Sequence, residues 1–153
     1  MRGLFLYGLK CQPWIWDQMR GDLADCDIEY VEYPGDVTRR CVSVGELTAW
    51  VDEQYLSRGR AYDFVLGHSM GGLIALQLSA LDGAPLRKTI FVESFLRPSE
   101  PFYQNLMMEA NMAAMGDKVL AMFSEEDAKY TPELKKSLRE EFDYTKSLDH
   151  IAN

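Results

Sequence analysis

Residues 67–71 read Gly-His-Ser-Met-Gly, between one apolar run that ends at Leu66 and another that begins at Leu73. Glycines two before and two after a serine suit a turn so tight that neither position has room for a side chain. Strain in such a turn holds the serine hydroxyl clear of the preceding strand, and a helix starting there points free N–H groups at any negative charge that develops. The chemistry this suits is attack by Ser69 Oγ on an acyl carbon, with main-chain N–H groups holding the oxyanion. A hydroxyl at neutral pH is a weak nucleophile without a base, so the pattern asks for a histidine. The chain has two, His68 and His150. His68 is inside the turn, where the neighbouring serine points another way, and reads as a packing or pocket-lining residue.

The elements that must position Ser69 follow from hydrophobic periodicity. Leu4 to Tyr7 is a short apolar run stopped by Gly8, which suits a buried strand, and the segment Pro13 to Leu23 carries Trp14, Trp16, Met19 and Leu23 at helical spacing. Ile28 to Tyr33 alternates and ends at Pro34-Gly35, a second strand closing in a turn. Ser43 to Glu46 fits a capping box, after which Leu47, Trp50, Val51 and Tyr55 share one helix face. Tyr62 to Gly67 is a third strand, and Met70 to Leu81 is a helix apolar nearly all round, hence buried. Arg87 to Phe95 is a fourth strand. Short apolar strands alternating with helices predict an α/β fold with a mostly parallel sheet covered on both faces.

After Pro98 the texture becomes helical. Phe102 to Met115 is Met-rich, Lys118 to Phe123 leans to helix, and Thr131-Pro132-Glu133 opens a helix carrying Leu134, Leu138 and Phe142. The expected division is therefore a core over residues 1–98 and a helical segment over 99–153.

Composition narrows the class. A chain of 153 residues with 47% hydrophobic and 26% charged content suits one globular domain or part of one. No stretch approaches the roughly 20 apolar residues of a membrane span. The apolar run at the N-terminus is too short for a signal peptide. A net charge of −8, without a basic run, argues against a nucleic-acid partner. Cys11, Cys26 and Cys41 have neither metal-site spacing nor an even count, so reduced thiols, a cytoplasmic location and no metal or cofactor are expected.

The segments "LFLYGLKCQPWIWDQM", "YVEYPG" and "FVLGHSMGGLIALQLSA" together resemble the α/β-hydrolase superfamily over roughly residues 3 to 98, in the right order. The resemblance implies a nucleophile elbow at Ser69 and an oxyanion hole formed by the backbone amides of Leu9 and Met70. In the family the first segment normally reads His-Gly; here it reads Tyr7-Gly8-Leu9. Both donors are main-chain groups, so that change need not abolish the hole, and Tyr7 is either a core aromatic or part of the site lining. The helices after Pro98 resemble the family's cap, with Met107, Met108, Met112, Met115 and Met122 as a deformable apolar roof or as plain core filling.

The family's triad runs Ser, acid, His along the chain. Glu93 at the end of the fourth strand would face the same rim as Ser69, as triad acid or as another pocket residue; Asp127 is its rival. His150 has the correct order for the base, but no strand precedes it to carry it back over Ser69. The segment around it resembles the lead-in to a further core strand. The expectation is thus a carboxylesterase-like serine hydrolase lacking its C-terminal part, with an acyl-enzyme on Ser69 and a small-molecule ester as substrate. The fourth strand would then be an open edge, ready to pair with a missing C-terminal fragment or, as a homodimer, with a second copy. The alternatives are a lyase or elimination enzyme on the same fold, or an inactive binding protein.

Overall fold

The computed structural model describes residues 1–9, 11–57, 59–81, 88–92, 94 and 128–141. The expected cap helix at 102–115, the segment 118–123 and the residues Glu93, Asp127, Phe142 and His150 lie outside them.

Four strands form one sheet: β1 (Arg2–Leu6), β2 (Asp27–Tyr30), β3 (Phe64–His68) and β4 (Thr89–Val92), in the order β2-β1-β3-β4. All three pairings are parallel, with Leu4 opposite Glu29 and Val65, and Gly67 opposite Phe91. Leu4, Phe5, Leu6 and Val65 are buried because the central strands are covered on both faces, as parallel sheets require. On one face Phe5 meets Trp16 edge-on at 5.1 Å and Phe64 at 6.0 Å. On the other lies α3 (Met70–Ser79), whose residues Met70 to Leu76 are all buried. Only Gln77 and Ser79, in its last turn, are polar and partly exposed, so the helix is apolar nearly all round.

The remaining elements differ in detail from the periodicity. Pro13–Met19 is a 3-10 helix rather than a longer α-helix, with Trp16 inside and Trp14 on the surface. The turn expected after Pro34-Gly35 is a short helix, α1 (Gly35–Arg40), whose Val37 and Thr38 are buried. Here Pro34 acts as the extended residue before the first turn. The capping box at α2 (Val44–Val51) is half as expected: Ser43 Oγ accepts from Glu46 N–H at 3.1 Å, while Glu46 reaches past Ser43 to accept from Val42 N–H at 2.8 Å. After Val51 the helix widens into a π turn over Asp52–Leu56.

The last described element, α4 (Pro132–Glu141), starts with Thr131 Oγ1 accepting from Leu134 N–H at 3.0 Å, so the cap and the proline sit where the sequence places them. Thr131 also donates to the Cys41 carbonyl at 2.8 Å, and Ser137 accepts from Val44 N–H at 3.1 Å. Tyr130 and Leu134 thereby join the core built by residues 4–78.

Candidate active site

The strand order reverses between β1 and β3: β1 leads to β2 on one side, and β3 leads to β4 on the other. The carboxyl ends of two such strands diverge, and the crevice between them is where open α/β sheets bind ligands. Gly8 and Ser69 lie there. A Cβ placed on Gly8 would fall 2.7 Å from Ser69 Cβ and 3.0 Å from His68 Nδ1, so the loop after β1 runs directly against the serine.

Ser69 adopts φ 52, ψ −119, the only positive φ at a non-glycine among the described residues. Such a conformation costs on the order of 1–3 kcal/mol and persists only where the surroundings over-determine it. The surroundings here are backbone. A Cβ on Gly67 would meet the Gly71 carbonyl and, at 2.5 Å, the Gly72 Cα; one on Gly71 would meet the Leu6 carbonyl group. Both glycines of the motif are therefore dictated by contact between main chains, as the spacing suggested.

Hydrogen bonds complete the clamp. Ser69 N–H donates to the Val92 carbonyl at 3.1 Å, and the Ser69 carbonyl accepts from Gly72 N–H at 2.9 Å. The Ser94 hydroxyl lies within hydrogen-bond distance of three carbonyls, those of Gly67 (3.3 Å), Ser69 (3.2 Å) and Val92 (3.1 Å). Ser94 was not singled out from the sequence. The signal for it was indirect: Gly72 follows the motif without being needed for the turn, so something must press against it, and that is the Ser94 side chain. The Leu9 and Met70 amides, by contrast, make no backbone hydrogen bond among the described residues.

His68 is half-buried with its ring edge-on to Trp16, centroids 6.3 Å apart. Tyr7 is buried, its ring packed on Tyr33 at 4.6 Å, and its hydroxyl accepts from Tyr33 N–H at 3.0 Å. Tyr7 is thus a core aromatic, and it also walls a cavity of about 200 Å3 bounded by Tyr33, Thr38, Lys129 and Tyr130. The Tyr33 hydroxyl is buried without a hydrogen-bond partner among the described residues. Burial, followed by the neighbouring phenols of Tyr7, Tyr130 and Tyr55, pushes its pKa well above the ordinary tyrosine value. A donor left so costs about 1–3 kcal/mol. Sequence reasoning missed this tyrosine, which was placed only as the end of an alternating strand.

Ser69, Leu9, Met70, Tyr7 and His68 are brought together around the β1 and β3 ends, whereas Glu93 and His150 lie outside the described residues. Among the described residues no group of three or more His, Cys, Asp or Glu could hold a metal ion, and no helix is long and apolar enough to cross a membrane.

No family model matches the sequence, and no curated protein matches it significantly. Solved structures do. The chain is similar to an N-formylmaleamic acid deformylase from Pseudomonas putida S16, with 16% identity and a TM-score of 0.60, covering 99% of this chain and 69% of that one. It is similar to a monoacylglycerol lipase from Paleococcus ferrophilus, with 15% identity and a TM-score of 0.61 over 97% of this chain and 67% of that one. The bottromycin epimerase, solved in complex with bottromycin A2, gives 19% identity and a TM-score of 0.52 over 90% of this chain and 62% of that one. The chain thus spans about two thirds of the length of these structures. With its parallel sheet, strand order and serine turn, it carries the α/β-hydrolase fold.

Proposed function

We propose that the chain carries the nucleophile half of a serine hydrolase that cleaves a small ester or similar acyl compound. The observation that carries this reading is the Ser69 backbone, strained to φ 52 near two amides, those of Leu9 and Met70, that no backbone acceptor among the described residues uses. A fold alone does not fix chemistry, but a strained serine next to unused donors is the arrangement that acyl transfer needs. A base takes the proton from Ser69 Oγ, and Oγ bonds to the acyl carbon while the carbonyl electrons move onto its oxygen. The two amides hold that oxyanion until it collapses and expels the leaving group, which recovers the proton. Water then releases the acyl group by the same steps.

The acid and base proposed for this are Glu93 and His150, in the chain order the triad uses. The residues after Pro98 are proposed as the cap over the site. No cofactor is required, and the three cysteines, free of disulfides, suit a reducing compartment. At the β4 edge Ile90 and Phe91 are exposed, one on each face of the strand, and a further strand or a second copy would pair with that edge.

A fluorophosphonate probe tests the reading directly. Labelling mapped to Ser69 by peptide mass spectrometry is expected, and its absence from folded protein would refute a nucleophilic serine. The similarity to an epimerase favours one second reading, non-hydrolytic chemistry on the same fold. It would show as a failure to turn over any ester, with Ser69 still needed for conversion of a particular metabolite.

A further inference from the structure

The loop that leaves β1 is held by a side chain where regular pairing would use main chain. In the parallel pairing of β1 with β2, Phe5 lies beside Tyr30, and Val31 N–H donates to the Phe5 carbonyl at 2.9 Å. Donors facing one neighbour recur every second residue along a parallel strand, so the next is Tyr33 N–H, and its regular acceptor is the Tyr7 carbonyl. Tyr33 N–H donates instead to the Tyr7 hydroxyl, at 3.0 Å and in a buried setting. This bond joins two residues whose rings already pack edge to face, and both are buried.

Because the side chain takes that rung, the Tyr7 carbonyl is left out of the pairing, and the backbone can leave the sheet while the phenol stays fixed. It turns toward Ser69. Leu6 of β1 lies beside Gly67 of β3, and two residues further on Gly8 runs against Ser69, where a Cβ would fall 2.7 Å from Ser69 Cβ. The Gly8 carbonyl accepts from Cys11 N–H at 3.2 Å, which closes a turn around Leu9. Leu9, whose amide is the proposed oxyanion donor, is thus bracketed by the anchored Tyr7 ring on one side and the closed turn on the other.

We propose that Tyr7 is a positioning residue: its hydroxyl ties the Gly8–Cys11 turn to the loop after β2 and so fixes where the Leu9 amide stands relative to Ser69. The tether rests on geometry alone, and its part in catalysis rests on the hydrolase reading. A donor stabilises a developing oxyanion to the extent that it is already aimed when the charge appears. The bond is also costly to give up, since removing the phenol oxygen leaves the buried Tyr33 N–H without that acceptor. A phenylalanine at position 7 keeps the ring contact with Tyr33 and loses this bond, so packing and tether are separable.

Amide hydrogen exchange followed by NMR and fluorophosphonate labelling, both on the full chain, test the tether and its catalytic part separately. In the parent, Tyr33 N–H is expected to exchange as slowly as Val31 N–H; exchange at the rate of an unprotected amide overturns the tether. In Tyr7→Phe, at a temperature where it is fully folded, Cys11 N–H is expected to exchange about tenfold faster or more, and Ser69 to label about tenfold more slowly. Tyr62→Phe is the control for stability, because it removes the hydrogen bond of another buried tyrosine, to Glu29, at the opposite end of β3 from Ser69. It should lower the Tm and leave Cys11 exchange and Ser69 labelling at the parent's rates. Three results overturn the positioning role: Cys11 exchange unchanged in Tyr7→Phe, labelling unchanged in Tyr7→Phe when the parent does label, or labelling slowed equally by Tyr62→Phe. Cys11 exchange that depends on Tyr7 in a parent whose Ser69 never labels keeps the tether and overturns only the hydrolase.

Discussion

The Ser94 hydroxyl reaches the carbonyl of Ser69 at 3.2 Å, and through its further contacts with Gly67 and Val92 it ties the end of β4 to the strained turn. Ser69 N–H already bonds the Val92 carbonyl, so β4 grips the turn from both sides of the peptide. Ser94→Ala should cost about 1 kcal/mol of stability, seen as a lower Tm. A loosened turn should also slow fluorophosphonate labelling of Ser69 at temperatures where the variant is fully folded. A fall in Tm with an unchanged labelling rate would make Ser94 a fold residue only.

Gly72 and Ser94 are coupled by space. A Cβ on Gly72 would strike Ser94 Oγ and lie 2.5 Å from Ser94 Cβ. Gly72→Ala should therefore destabilise by about 1–3 kcal/mol, the usual cost of overpacking. Combining it with Ser94→Gly should recover part of the loss, with a coupling of about 0.5 kcal/mol or more in a double-mutant cycle. Gly71→Ala offers a contrast, because its Cβ meets the Leu6 backbone, which no side-chain change can remove. Denaturant titration of the four proteins of the cycle measures the coupling.

Ser69 itself should be a stability defect. At φ 52, ψ −119 a glycine avoids the clash of Cβ with its own backbone. Ser69→Gly should raise the Tm, by about 1 kcal/mol of stability at the low end of the cost of such strain. Ser69→Ala keeps the Cβ and should gain less. Both lose labelling. Thermal melts that rank alanine at or above glycine would show that the turn is unstrained.

The phenols give an alkaline signature. Tyr33, Tyr55 and Tyr62 all have pKa values pushed above the ordinary tyrosine value, in each case chiefly by burial. In the unfolded chain tyrosine titrates near about pH 10. Below that, both states hold the proton and these groups cause no loss of stability. As pH rises through the unfolded value, the unfolded chain releases protons that the folded one retains, so stability falls with increasing pH up to the folded pKa. Absorbance at the phenolate band should show these tyrosines titrating late, together with loss of far-ultraviolet circular dichroism. A Tyr33→Phe variant should lose part of the late phase.

Local patterns made much of the core legible. A run such as Leu4 to Tyr7 is apolar because both faces of β1 are covered, and the nearly all-apolar character of α3 states its burial without a partner being known. Ser43 and Thr131 announced their helices because a cap acts within three residues. The helix α1 was hidden, since Pro34-Gly35 is equally a turn signal and only the packing of Val37 and Thr38 makes the following residues coil into a helix. Likewise, nothing in Trp14 and Trp16 says which is buried; the 3-10 geometry turns Trp16 onto Phe5 and leaves Trp14 in water.

The sequence by itself determined the serine turn, because glycines two before and two after a serine mark it, although the Leu6 carbonyl that excludes a side chain at Gly71 comes from β1. It also determined the alternation that makes the sheet parallel. Tertiary structure alone decided what surrounds that turn. Ser94 is 25 residues from Ser69, and Tyr33 is 26 from Tyr7, so each contact depends on the order of strands in the sheet rather than on any nearby pattern. A hydroxyl that clamps and a hydroxyl left unpaired among the described residues are the same kind of atom in a sequence. Which carbonyls approach them, and which do not, is settled when β4 docks beside β3 and the loop after β2 folds over Tyr7.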